Sequence, residues 1–325
     1  MDYSSSSWKA DYPSLLRSAG RSESLQVCKL LHNKIKCLLQ CNIFLSNLVV
    51  QMYANCGAPE ESLSFFQSMS VRDIYSWNFM LKSYVNSGDT PSGVQLFEQA
   101  LQEGNMPNRY LYVTLLSLFS SDYSGRVVLY GKSIHARVVV ACEYLSDVVL
   151  QTSVLSMYAK CGVLVKALQV LEELPIRNAI TWSSIISGYT EHGQGNEALY
   201  CFERMQSEGI SPNAITFTCI VKACGCIGAI EKGKEIYDEI VRSDLLRKDM
   251  VLGSALVDMY AKCGVIYKSQ QDHEELNIRN IVSWSALISG YAQQGQGHEA
   301  LSCFEKMQQE GISPDGVTFS SMINA

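Results

Sequence analysis

Proline is scarce, seven in 325 residues, so nearly the whole chain is free to run in helices, whose interiors proline breaks. No apolar run reaches the roughly 18 residues that cross a bilayer, so no segment is expected to span a membrane. Charged residues make up 18% of the chain against 47% apolar, the reverse of the balance that keeps a chain disordered. Positive charge is also short: 26 Lys and Arg face 32 Asp and Glu, a net charge of −6. That argues against a nucleic-acid binder held by a broadly basic surface, though not against one that works through the bases.

A secretory signal is missing too, and the 12 cysteines do not form a disulfide framework. Cys56, Cys161 and Cys263 take the same place in YANCG, YAKCG and YAKCG, while Cys201 and Cys303 match in YCFERM and SCFEKM. Cysteines placed by a repeat are expected to be small buried apolar residues in a reducing compartment. Cys224 and Cys226 have no second pair at metal spacing, so neither a zinc site nor a cofactor is expected. The opening stretch MDYSSSSWKADYP carries Asp2 and Asp11 and little basic charge, unlike an arginine-rich transit peptide, so no targeting segment is visible.

What the chain has is repetition. The stretch AITWSSIISGYTEHGQGNEALYCFERMQSEGISPN from Ala179 matches IVSWSALISGYAQQGQGHEALSCFEKMQQEGISPD from Ile281 nearly residue for residue, and a weaker copy, IYSWNFMLKSYVNSG, starts at Ile74. Trp77, Trp182 and Trp284 mark this register at spacings of 105 and 102 residues. A period so long is a group of smaller units. Those units end in Asn or Asp and run 9–42, 43–73, 74–108, 109–147, 148–178, 179–213, 214–249, 250–280 and 281–315, after a tail of residues 1–8. Their lengths cycle as a unit near 35 residues, a longer variable one and a short one of 31; a tenth opens at Gly316 and has ten residues.

Each unit reads as two helices. Trp182, Ile185, Ile186 and Tyr189 fall on one helical face. Gly193 and Gly195 then mark a turn, and a second helix carries Ala198, Leu199, Phe202 and Met205 on one stripe, with Glu197, Glu203 and Arg204 outside it. Gly209 suits a helix C-cap. One such hairpin has too little core to stand alone, so neighbours must stack, and an all-α solenoid follows. The tryptophans lie on the apolar stripe and are expected to be packing anchors. His32 and His135 recur in corresponding units and are expected to be partly buried helix residues.

The phrases MYAKCG, GYAQQGQGHEAL, FEKMQQEGISPD and KACGCIGAIEKGKEIY resemble the pentatricopeptide repeat family of organelle RNA-binding proteins, in its plant-type PLS subclass of alternating repeat lengths. The resemblance covers the chain after Lys9. The tetratricopeptide pattern Trp-x-x-Leu-Gly-x-x-Tyr is the nearest competitor, but no Leu-Gly follows the tryptophans. The resemblance implies a right-handed superhelical solenoid of helix-turn-helix repeats that binds single-stranded RNA, about one base per repeat, in a mitochondrion or chloroplast. No enzymatic activity is expected of this chain, and no small-molecule substrate; a partner enzyme would supply editing or processing in trans. The deaminase signature, His-x-Glu with Pro-Cys-x-x-Cys, is absent.

In the family each base is read by the residue after the first-helix aromatic, together with the last residue of the unit. Carried onto this sequence, the pairs are Asn47 with Asp73, Asn78 with Asn108, Thr152 with Asn178, Ser183 with Asn213, Thr218 with Asp249, Ser254 with Asn280, and Ser285 with Asp315. Pro13 with Asn42 and Val113 with Asp147 depart from the pattern. A carboxylate accepts the ring N–H of uracil or guanine, and an amide donates to the ring nitrogen of adenine or cytosine. The resemblance thus implies the order U, pyrimidine, unread, A, A, G, A, G from 5′ to 3′. Apolar residues on the first turn, Tyr75, Val149, Ile180, Ile215, Val251 and Val282, would press on base faces. Lys160 and Lys262, ending their first helices, would touch phosphates.

Two alternatives stay open. The unit-ending Asp and Asn also suit simple helix caps, which leaves room for a protein-binding scaffold. Val317, Phe319, Met322 and Ile323 lack a second helix in this sequence, which also fits a truncated product.

Overall fold

The computed structural model describes residues 11–22, 24–39, 42–119, 125–140, 147–243, 245, 249–276 and 278–325. The tail 1–8 and the start of the first unit at Lys9 lie outside them. Among the described residues there are nineteen helices and no strand. They fall into two compact units, residues 1–161 and 162–325.

The first unit holds α1 (Tyr12–Arg21), α2 (Leu25–Leu39), α3 (Ile43–Asn55), α4 (Pro59–Ser68), α5 (Ile74–Ser87), α6 (Thr90–Gln102), α7 (Arg109–Phe119), α8 (Gly125–Val140) and α9 (Val148–Lys160). The second holds α10 (Leu164–Glu173), α11 (Ala179–Glu191), α12 (Gly195–Ser207), α13 (Ala214–Ile227), α14 (Ile230–Arg242), α15 (Met250–Lys262), α16 (Ile266–Glu275), α17 (Ile281–Gln293), α18 (Gly297–Gln309) and α19 (Gly316–Ile323). Odd-numbered helices form a row in each unit: α1, α3, α5, α7 and α9 pack one on the next, and so do α11, α13, α15, α17 and α19. Even-numbered helices such as α4, α12 and α16 pack against their own partner and the following odd helix.

The sequence sets this division. In α15 nearly every side chain from Leu252 to Ala261 is buried, as a helix covered on all sides requires. In α14 only Gly233, Ile236 and Ile240 are buried, one stripe of a helix open to water. Trp77, Trp182 and Trp284 are buried anchors. Trp182 Nε1 donates to Glu208 at 3.3 Å and Trp284 Nε1 to Glu310 at 3.1 Å. Arg177 and Arg279 pair with the same carboxylates at 2.9 and 2.6 Å. Each trio thus ties the end of a second helix to the loop before its own first helix. Arg72 pairs with Glu103 at 3.4 Å in the same way.

Three expectations need correction. Gly193 is the left-handed turn residue, φ 72°, but Gly195 is the first residue of α12. A Cβ there would meet Ile227 Cγ2 at 2.6 Å and the Ala223 carbonyl oxygen at 3.1 Å, so glycine permits the close approach of α12 to α13. Cys56, Cys161 and Cys263 are half-buried C-caps rather than core residues. Cys161 and Cys263 approach the carbonyls of Phe119 and Cys224 at 3.7 and 3.9 Å. Cys201 and Cys303 are buried, and burial pushes both thiols up to about 11. Pro13 sits on the first turn of α1, and the helix position that Asn47 holds in α3 belongs to buried Leu16.

One hairpin breaks the apolar rule. Where α10 has Val170 and Leu171 in the core, α16 has Asp272 and His273, both buried. Asp272 lies 3.0 Å from Lys268 Nζ, and burial pushes its pKa up. His273 packs edge-on to Trp284, 4.2 Å between centroids, and its Nε2 has no partner among the described residues. Burial, with the Arg279 charge adding to it, holds His273 down at about 4 against an ordinary 6.5. The unfolded chain therefore binds the extra proton across that window, and stability falls as pH drops from 6.5 toward 4. Asp272→Val with His273→Leu is expected to raise stability at neutral pH by about 1–4 kcal/mol, measured by thermal melts, and His273→Leu alone should flatten the acid-side loss. A lower melting temperature for the double variant would contradict this account.

Candidate nucleic-acid interface

The first four N–H groups of a helix have no partner within it. At every odd-numbered helix the chain answers with Asp or Asn at the N-cap. In the first unit, side-chain oxygens of Asp11, Asn42, Asp73, Asn108 and Asp147 accept from the first turn of α1, α3, α5, α7 and α9 at 2.8–3.2 Å. In the second unit, Asn178, Asn213, Asp249, Asn280 and Asp315 do the same for α11, α13, α15, α17 and α19 at 2.8–3.1 Å. By contrast α4, α10, α12, α14, α16 and α18 have no side-chain cap.

The fifth residues of α3, α11, α13, α15 and α17, each one of a pair carried over from the family, are buried: Asn47, Ser183, Thr218, Ser254 and Ser285. Asn47 Nδ2 donates to Asp73 Oδ1 at 3.0 Å. Asn280 Nδ2 donates to Ser254 Oγ at 3.0 Å. Ser183 Oγ lies 3.5 Å from Asn213 Oδ1. Ser285 reaches Asp315 through one shared neighbour: Thr318 Oγ1 is 2.7 Å from both Ser285 Oγ and Asp315 Oδ1. Two pairs do not join. Asn78 Oδ1 accepts from Thr114 at 2.8 Å while Asn108 caps Leu111. Thr218 donates to the Ala214 carbonyl at 2.8 Å while Asp249 caps Val251 and Leu252. Thr152 and Asn178 belong to different units; Thr152 donates to the Val148 carbonyl at 2.6 Å within its own. Ser183 and Ser254 also donate back to the carbonyl four residues earlier, at 2.6 and 3.0 Å, which leaves their oxygen lone pairs to accept.

The second residue of these helices is apolar and open to solvent. Tyr75 and Val149 in the first unit and Ile180, Ile215, Val251 and Val282 in the second are 55–64% exposed, too open to be core. Sequence reasoning missed Phe44, Tyr110 and Val317, which hold the same place at 53%, 53% and 61%; the signal was available, since each stands two residues after a capping Asp or Asn. It also missed the third-position hydroxyls Ser76, Thr181, Thr216, Ser283 and Thr318, all buried. Each completes a capping box, and the Asp/Asn-x-x-Ser/Thr spacing was its trace.

Lys160 and Lys262 end α9 and α15 and are exposed. Lys262 Nζ is already paired with Asp258 at 2.8 Å, and that bond raises its pKa against the opposing effect of burial. The Thr318 N–H and hydroxyl hold the Asp315 carboxyl below its ordinary value. His32 and His135 are half-buried, with Nδ1 2.9 and 3.2 Å from the hydroxyls of Tyr53 and Tyr158, which makes them bridges between helices.

If capping alone were at stake, Asp and Asn would be equivalent at these positions. Asn213→Ala is expected to cost about 1 kcal/mol of stability and Asn213→Asp only a few tenths, read from urea titrations. Equal losses would show that the Oδ1 bond to the α13 first turn carries no weight.

The PPR repeat family profile matches residues 177–226 and 279–325, and the PPR repeat profile matches 44–74, 75–105, 152–178 and 215–245. A pentatricopeptide repeat-containing protein of Arabidopsis thaliana is 33% identical over 298 residues, 91% of this chain and 42% of that protein. A chloroplastic one from the same plant is 30% identical over 311 residues, 96% and 50% respectively. The chain spans about half the length of the curated relatives it matches. The crystal structure of the pentatricopeptide repeat protein PPR10 in complex with an 18-nt psaJ RNA element superposes with a TM-score of 0.76, over 97% of this chain and 47% of that one, at 18% identity; the likeness is one of fold. With profile matches over more than half of its residues, the chain belongs to the PPR repeat family.

Proposed function

We propose that this chain binds single-stranded RNA with sequence selectivity, about one base per repeat, in organellar RNA editing or processing. The observation that carries the proposal is the repeated juxtaposition at the start of the odd helices. An exposed apolar residue stands second, a cap carboxylate or amide precedes it, and the preceding odd helix brings a hydroxyl or amide to the same junction. An apolar surface beside paired donors and acceptors suits a base, which has an apolar face and a polar edge.

The units 9–42 through 281–315 serve in this reading as the repeats, with cycling lengths that fit the PLS subclass. The pairs would read U, pyrimidine, unread, A, A, G, A, G. Relatives named chloroplastic or mitochondrial favour an organelle, and a partner enzyme in trans would supply the chemistry. Lys160 is the better phosphate contact, because Asp258 already neutralises Lys262. Exchange of Asn213 for Asp replaces a donor with an acceptor while keeping the cap. Asn213→Asp is therefore expected to move preference at the fifth base from adenine to guanine, measured as binding of oligonucleotides that differ only there. Unchanged preference would overturn the assignment.

A further inference from the structure

We infer that Ser76, Thr216 and Thr318, the third residues of α5, α13 and α19, are positioning residues that set which polar atom each cap presents to a base. The inference rests on the base-reading proposal above and adds a residue to it. A hydroxyl has one proton to give, and its destination can be followed. Ser183 Oγ spends its proton on the Ala179 carbonyl at 2.6 Å. Thr216 Oγ1 lies 2.7 Å from Ser183 Oγ and 3.0 Å from Asn213 Oδ1, and with the Ser183 proton already spent its own proton serves the shorter contact, to Ser183. Thr216 in turn accepts from the Asn213 backbone N–H at 3.3 Å, and Asn213 Oδ1 takes the Thr216 N–H at 2.9 Å. Oδ1 is thereby fixed at the cap and Nδ2, without a partner among the described residues, is left as the donor. That is the group adenine needs.

At Asp315 the relay runs the other way. Ser285 Oγ lies 2.7 Å from Thr318 Oγ1, and Thr318 Oγ1 donates to Asp315 Oδ1 at 2.7 Å. Oδ1 is held at the cap and Oδ2 is left as the acceptor that guanine needs. At the first pair Ser76 Oγ holds Asn47 Oδ1 at 2.6 Å while Asn47 Nδ2 reaches Asp73 at 3.0 Å, which fixes the amide at both ends. Where the third residue is Leu111 or Leu252, no such bridge forms, and Asn78 with Asn108 and Thr218 with Asp249 stay apart. Discrimination is therefore sharp at the first, fifth and eighth bases and weak at the second and sixth.

The test uses the full chain and oligoribonucleotides carrying U, pyrimidine, any base, A, A, G, A, G, changed one base at a time. Thr216→Val keeps the shape and removes the hydroxyl. The ratio of Kd values between guanine and adenine at the fifth base should fall roughly three- to tenfold, with the ratio at the first base unchanged. Ser76→Ala should do the reverse, and Thr216→Ser should restore the fifth-base ratio. If Thr216→Val weakened binding to every oligonucleotide by the same factor, or left the fifth-base ratio intact, the hydroxyl would be only a cap and the inference would be overturned. If the unaltered chain bound RNA with no preference at the fifth base, the base-reading proposal would fall first, and this inference with it.

Discussion

The unpaired N–H groups at the start of a helix are the constraint on which the arrangement turns. In each compact unit the odd helices pack one on the next, and although the second residue of their first turns is open to solvent, the third is fully buried at Ser76, Thr181, Thr216, Ser283 and Thr318. A helix that starts in such a place must bring its own acceptor. In α12 the first turn includes exposed Asn196 and Glu197, where water can serve, and six even helices have no side-chain cap, while α6 takes one from Asp89. The capping residues are thus a consequence of stacking hairpins in a row.

The same constraint makes the caps useful. An Asp or Asn side chain has two terminal atoms and the cap engages one of them. For the fold, Asp and Asn are nearly interchangeable, since Oδ1 serves in both. For anything that meets the second atom they are opposites, an acceptor in one and a donor in the other. A row of caps can therefore vary between Asp and Asn at little cost in stability while its outward chemistry changes from hairpin to hairpin. Capping engages one atom of the side chain, and the proposed base reading would use the other.

Much of this was legible in the sequence because a repeat shows each position several times. The tryptophan anchors, the ends of the units and six of the exposed apolar residues all follow from laying the chain on itself. What escaped depends on distances between hairpins. Gly195 looks like a turn residue until α13 is found against its α-carbon. Cys56, Cys161 and Cys263 look like core until the helices end beneath them. Pro13 enters the reading register when the first unit is opened at Lys9, whereas its first helix opens at Tyr12 behind the cap Asp11. The third-position hydroxyls drew no notice in the sequence, and only their 2.6–2.7 Å contacts with the preceding hairpin bring them out. Asp272 and His273 carry no apolar pattern, so nothing in α16 foretold their burial.

The most direct measurement of the central claim, that the caps present their second atoms to a strand of bases, is a selection of bound RNA from a random single-stranded pool. The account predicts a recovered consensus of U, pyrimidine, any base, A, A, then a weakly constrained position, A and G, in the order of the capping residues along the chain. Recovery of RNA without a shared sequence, or of none at all, would contradict it.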